Sequence, residues 1–436
     1  MTETKDSIII NHIPSLTWNR LQVNHAKADL SADHILNTAD DKENVGPSDH
    51  ENAAADGNRS GEYASAAGKS FTPKPSCADT CKCKMSDKSF AEINIDKIVK
   101  ETMGTMDAGK WADGFSDGIR RESVMAGKNA IYQEQAFATA LGGEFTEFAD
   151  NKAAETVIYK IPEKCKLNEP VILKYSLEED TENITQRIIH VGRDSQAVVI
   201  IVHASGMSKG ALMADVTKVI LEEGAYLKLV DVELLGRDTV AFDDMGAVLR
   251  KNSRLDVIQI LLGGSRVYTG CYADQCGEGS TFNIKCGYFV SQKNILDINY
   301  VAAQRGRHTL SDIYAAGALK DGAVKTLKGT IDFRKGSKGS KGEEREDVLV
   351  LSPSVTNRSV PIVLTEEDDV EGHHGATIGN LSKDVLFYLG SRGMSKEYAE
   401  LLMIKGKILS IANMIPDTET VKRITCAVGE AFGSND

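Results

Sequence analysis

The sequence predicts a mainly β chain whose centre is a stack of short strands held between helical ends. Three observations carry this. From about residue 154 to 370, β-rich runs succeed one another: "TVIYKI", "PVILKYSL", "RIIHVG", "AVVIIVHAS", "TKVILEEGAYLKLVDVELL", "RLDVIQILLGG", "STFNIKCGYFV" and "ILDINYVAAQ". No helix-length pattern separates them, which excludes a βαβ protein. Turn signals ("EEGA", "KNSR", "GEGS", "SQKN") punctuate the runs at loosely similar spacing, without a tight repeat. The chain also holds 38 glycines against 9 prolines, a balance that suits many tight turns rather than a Pro-rich disordered protein.

Strand–turn–strand patterning over this length fits a β-solenoid or a large sandwich, and small inward residues (Val, Ile, Leu, Ala, Gly) favour stacked solenoid rungs. Alternation is visible in "RLDVIQILLGG", where Leu255, Val257 and Ile260 stand against Arg254, Asp256 and Gln259 with a slip.

On the N-terminal side, residues 1 to about 35 suggest a short amphipathic helix around "WNRLQVNHAKADL". Residues 36–88 are polar, rich in Gly, Ala, Ser and Asn and nearly free of aliphatic side chains. Such a segment cannot bury enough apolar surface to offset ordering, so it reads as a disordered insert. From 89 to about 150 the pattern is helical again: Ile93, Ile95, Ile98, Val99 and Met103 lie roughly on one face. After 381, Ser382 and Ser395 are placed as N-caps of two helices, Gly393 ends the first and Pro416 stops the second. A last amphipathic helix follows in "TETVKRITCAVGEAF". The expected division is an N-terminal helical region (1–153) containing the insert, a β core (154–380) and a C-terminal helical domain (381–436).

The totals narrow the function. A net charge of −12 argues against wrapping nucleic acid, which needs clustered Lys and Arg. No window of 18 apolar residues is present, and "MTETKDSIIINHIPSLTW" lacks the features of a signal peptide. A cytoplasmic location is therefore expected, with the eight cysteines as free thiols or metal ligands rather than a disulfide framework.

Several motifs carry candidate chemistry. "GTMDAGKW" (104–111) approaches a phosphate-binding loop, but Trp111 stands where a Mg²⁺-holding hydroxyl is required and no strand precedes it, so an ordinary loop is the better reading. "RKGSKGSKG" (334–342) is basic and glycine-rich; the acidic "EERED" after it opposes an anion site and favours a loop joining strands. Cys77, Cys81 and Cys83 fall within seven residues and can approach one soft metal, although their spacing matches no common zinc or cluster signature. Cys271, Cys276 and Cys286 sit on predicted strands as small hydrophobes. In "DDVEGHHGATIG" (368–379), His373 and His374 are adjacent on a strand and point to opposite faces, so both cannot ligate one site without a bulge. Polysaccharide cleavage on a solenoid would need Asp256, Asp297, Asp312 and Asp332 to gather on one sheet.

Four segments between 290 and 395 resemble the SufB/SufD family of iron–sulfur cluster assembly proteins: "LDINYVAAQRGRHT", "GALKDGAVKTLKGTIDFRKGSKGSKGEEREDVLVLSPSVTNRSVPIVL", "DDVEGHHGATIG" and "LFYLGSRGMS". "TWNRLQVN" (17–24) resembles its N-terminal segment; the 36–88 insert departs from the pattern. The resemblance implies a right-handed parallel β-helix core flanked by helical domains. It also implies a non-enzymatic scaffold partnered by a SufC-type ABC ATPase on the C-terminal helices, and by a SufB-type paralogue or a second copy through the core. Iron or a transient cluster would be shared with that partner, and this chain would bind no nucleotide. Where SufB carries a cysteine and a His-Glu-Ala-Thr sequence, this chain has Thr326 and "HGAT", with Gly375 in place of the carboxylate. It therefore looks SufD-like, and His374 matches a histidine that meets iron or cluster at the subunit interface. The readings left open beside this one are a β-helix carbohydrate lyase or hydrolase, and a self-sufficient homodimeric metal scaffold.

Overall fold

The computed structural model describes residues 7–12, 25–29, 119–125, 138–177, 181–205 and 211–433. Outside them lie the insert at 36–88, Cys77, Cys81 and Cys83, the "GTMDAGKW" loop and the helical pattern around Ile93–Met103. The described chain opens with β1 (Ser7–Ile10), β2 (Ala26–Asp29), β3 (Arg120–Met125) and helix α1 (Gly143–Lys152). There follow β4 (Glu155–Ile161), β5 (Val171–Leu177), β6 (Glu182–Val191), β7 (Gln196–Ser205), β8 (Leu212–Leu221), β9 (Tyr226–Leu235), β10 (Val240–Leu249) and β11 (Arg254–Gly263). The series continues with β12 (Arg266–Gln275), β13 (Thr281–Val290), β14 (Ile295–Gln304), β15 (Leu310–Leu319), β16 (Val324–Phe333), β17 (Ser340–Val350), β18 (Thr356–Thr365) and β19 (Val370–Gly379). Three helices close the fold: α2 (Lys383–Ser391), α3 (Lys396–Ala412) and α4 (Thr418–Gly433).

Even-numbered strands β4 to β18 form one parallel sheet and odd-numbered strands β5 to β19 a second, so each consecutive pair makes one rung of a parallel β-solenoid. β3 joins the first sheet antiparallel to β4, and β1 pairs antiparallel with β2.

The turn signals recur because the turns themselves stack. Asp194, Gly224, Asn252 and Gly279 each adopt a left-handed conformation, and each donates its amide to the turn of the next rung: Asp194 to Glu223 O, Gly224 to Lys251 O, Asn252 to Glu278 O and Gly279 to Arg307 O. At Gly224 (φ 69°) a Cβ would come within 2.3 Å of Asp194 Oδ1, so any larger residue there must displace that carboxylate. "RKGSKGSKG" supplies the turn from β16 to β17, with Gly336 and Gly339 at positive φ.

Three apolar layers hold the molecule. The solenoid interior is lined by residues such as Ile189, Ile201, Leu229, Val257, Ile284 and Ile298. On the outside of the β5–β19 sheet, Ile200, Val230, Val232, Ile258 and Ile260 pack beneath Ile404, Ile408 and Ile411 of α3 and Ile424 and Val428 of α4. The outside of the other sheet presents Leu212, Val216 and Phe242 to Ile8, Ile10 and Phe145. Each such aliphatic burial contributes about 1.5–3 kcal/mol relative to exposure. The C-terminal caps fall where the sequence puts them: Ser382 Oγ accepts from Val385 N and Ser395 Oγ from Tyr398 N, both at 3.1 Å.

The N-terminal reading requires correction. Ala26–Asp29, placed in an amphipathic helix, is strand β2, and Arg120–Met125, placed in a helical stretch, is strand β3. β3 found a sheet edge beside β4, and β2 found a partner in β1 with Ala28 buried in the outer apolar layer, so tertiary pairing overrode a weak local helical pattern. Among the described residues, no helix is long and apolar enough to cross a membrane.

Candidate functional site: a polar solenoid interior ending in an open rung

Among the described residues, the C-terminal end of the solenoid has no cover: β19 has a neighbour on one side only, β17, and nine of its ten residues are exposed. Register partners on parallel strands share a face. His374 pairs with Glu344, whose side chain is buried against Gly329 on the inner face, and His373 pairs with Glu343 on the outer face. Gly372 has the same parity as His374, and a Cβ there would meet Val363 and Phe333 across the rung. The two histidines therefore diverge, and His374 faces inward at the open end. Its neighbour Gly375 leaves empty space where a side chain would stand.

Behind this rung lies a buried ionic cluster. Lys325 and Glu346 form an ion pair with side chains 0% and 1% exposed; Ser359 Oγ donates to Glu346, and Tyr288 Oη donates to Glu346 Oε1 at 3.3 Å. Burial, then the charge of Glu346, pushes the Glu344 carboxyl up to about 7, with Lys325 pulling the other way.

Deeper inside, polar residues replace aliphatic ones over several rungs. Tyr300 Oη donates to Gln259 Oε1. Gln259 Nε2 lies 3.0 Å from Asp231 Oδ2, 2.7 Å from Asp243 Oδ2 and 2.8 Å from Thr269 Oγ1. Carboxylate oxygens of Asp231, Glu233 and Asp243 lie within 4.8 Å of one another. His203 stands beside them, Nδ1 3.8 Å from Asp231 Oδ1 and Nε2 3.9 Å from Asp215 Oδ2, with Tyr175 stacked on its ring. Asp215 itself is paired with Arg187. Burial, then neighbouring carboxylates, pushes Glu233 and Asp243 well above the ordinary carboxylate range.

Sequence reasoning missed this interior. "LVDVELL" reads as apolar-in, polar-out, whereas Val230, Val232 and Leu234 face α3 and α4 while Asp231 and Glu233 face inward. The available signal was the acid pair recurring within strands that are apolar on both faces. The "slip" in β11 has the same origin: Leu255, Val257, Gln259 and Leu261 are inside, and Ile258 and Ile260 lie under α3. Among the cysteines, Cys271 and Cys286 are buried on strands as expected, but Cys276 lies in the turn after β12, its thiol 3.3 Å from Leu249 O. The four aspartates of the carbohydrate-enzyme reading do not gather. Asp256 and Asp312 lie on one sheet, beside Arg254 and Arg345; Asp297 and Asp332 lie on the other, beside Lys328 and Arg334.

These features define a parallel β-solenoid protein with a polar interior, apolar outer faces covered by helices and an unpaired terminal rung. Residues 175–407, more than half of the chain, match the family model described as SUF system FeS cluster assembly, SufBD core domain. The chain belongs to the SufB/SufD family. It is 22% identical over 271 residues to the iron–sulfur cluster assembly protein SufD of Bacillus subtilis, a match covering 62% of each chain. It is 21% identical over 292 residues to an iron–sulfur cluster assembly SufBD family protein of Staphylococcus saprophyticus, covering 65% of this chain and 62% of that one. These alignments thus span about three fifths of the relatives' own length.

Proposed function

We propose that this chain is a non-enzymatic, cytoplasmic scaffold subunit of the SUF machinery, working with a SufC-type ABC ATPase and with a SufB-type paralogue or a second copy of itself. The observation that carries this reading is the open rung: an edge strand with free backbone groups invites a partner strand, and it presents His374 inward at that edge. A neutral imidazole supplies one donor to iron or to a transient cluster, and with glycine at 375 the remaining donors come from the partner. Iron and sulfide are here cargo. Cys77, Cys81 and Cys83 form a second candidate ligand group.

The C-terminal domain, residues 381–436, is the ATPase-docking element in this reading. Its α2 buries none of its residues and exposes Phe387 (79%), Tyr388 and Val385, an apolar surface that suits a partner. The test is co-purification of the tagged full-length chain with the ATPase. Wild type retains it and Phe387→Asp/Tyr388→Asp releases it; equal retention contradicts the docking assignment. Point changes are preferable to deleting 381–436, because α3 and α4 cover the apolar outer face of a sheet. A carbohydrate-active enzyme would instead degrade polysaccharide alone, without ATPase or iron.

A further inference from the structure

The carboxylates at the centre of the solenoid raise a problem of charge. Asp231, Glu233 and Asp243 are 2% exposed or less, and among the described residues neither Glu233 nor Asp243 has a cationic partner. Arg187 is committed to Asp215 and Lys325 to Glu346. Buried unpaired carboxylates are resolved in one of two ways, by protons or by a cation.

Hydrogen bonding separates the two. A protonated Glu233 would be a buried O–H donor needing an acceptor, yet neither of its oxygens has a hydrogen-bond partner. A proton on His203 would be held between Asp231 and Asp215, which its ring nitrogens face, but that leaves Glu233 unsatisfied. A cation among the carboxylates gives Glu233 a partner and neutralises Asp231 and Asp243 with it. Gln259, bonded to both Asp231 and Asp243, then orients those two ligands from behind.

We infer that Asp231, Glu233 and Asp243 form an internal binding site for a divalent cation of the manganese(II) class. Three carboxylates suit such an ion better than soft, thiolate-seeking metals. The site lies inside the solenoid on β9 and β10, apart from the exposed His374, so it acts as an internal brace rather than as part of the terminal rung. Since solenoid walls surround it, the ion enters as the chain folds.

The probe is Mn²⁺, which avoids competition from cysteine thiols. The full-length chain is produced in manganese-supplemented medium, passed through gel filtration in metal-free buffer, and examined by elemental analysis and pulsed EPR. The expected result is about one Mn²⁺ per folded chain, without the exchangeable-water coupling of a surface-bound ion. Glu233→Gln and Asp243→Asn keep shape but remove charge, and should lower bound Mn²⁺ by roughly tenfold or more with the β circular dichroism retained. His374→Ala should retain the metal. A folded wild type without bound manganese overturns the inference, as does a Glu233→Gln variant holding as much as wild type. Should the charge variants fail to fold, wild-type stoichiometry and shielding from exchangeable water decide it, and the absence of either overturns it. Failure here leaves the scaffold reading, which rests on the open rung, untouched.

Discussion

Lys325 on β16 and Glu346 on β17 form an ion pair across the last covered rungs, both side chains essentially removed from solvent. Lys325 also reaches Asn357 Oδ1 at 3.0 Å, and Glu346 accepts from Ser359 and Tyr288, so the pair is embedded in hydrogen bonds from two other strands, β18 and β13. Breaking such a pair strands a buried charge, whereas replacing both partners removes the problem. Lys325→Met or Glu346→Leu alone should cost about 3–5 kcal/mol, and the double variant should recover most of it. Denaturant titration of the four proteins checks this; additive single effects would contradict it.

Glu344 should make stability fall as pH rises. Its carboxyl is near 7 in the folded chain because of burial and then the charge of Glu346, against 4.5 for an unperturbed glutamate. The fold therefore favours the protonated form; that contribution is fully present below about 4.5 and is lost as pH passes 7. Glu344→Gln should flatten this slope and raise stability at pH 8 by at most about 3 kcal/mol. Melting curves at pH 5 and 8 that shift equally in both proteins would contradict the assignment.

Native thiol reactivity should be sharply uneven. Burial, foremost, pushes Cys286 up to about 12 and Cys271 higher still, and both are fully enclosed. Neither holds thiolate at neutral pH, so an alkylating agent should leave both unmodified in the folded chain and modify them after unfolding. Peptide mass mapping reads this directly; labelling of either in the native state would mean that the solenoid opens.

Packing inside the rungs allows little addition. A Cβ on Gly317 would fall 2.4 Å from both the backbone oxygen and the ring of Tyr288. Gly317→Ala should destabilise by about 1–3 kcal/mol through overpacking, measured by denaturant midpoint; an unchanged midpoint would show that β13 and β15 can separate.

The fold was legible where one physical rule dominated. Stacked turns place left-handed residues at the corners, often Gly, Asn or Asp but also Lys164, Lys293 and His308, so the turn spacing narrowed the core to a solenoid or a sandwich, and Ser382 and Ser395 marked two helix starts. Burial on both faces hid the interior: β9 is apolar toward α3 and α4, so its alternation does not mark Asp231 and Glu233 as inward. β2 and β3 were misread because strand pairing, a long-range interaction, leaves little trace in four to six residues. For the histidines, strand parity separated His373 from His374 and the family motif selected His374.

The most direct test of the scaffold account is the iron and acid-labile sulfide carried by the complex isolated anaerobically through a tag on this chain. The account predicts that wild type carries both, with visible cluster absorbance, and that His374→Ala loses them while the ATPase and partner subunit stay bound. Equal iron, sulfide and absorbance in the two complexes would contradict it.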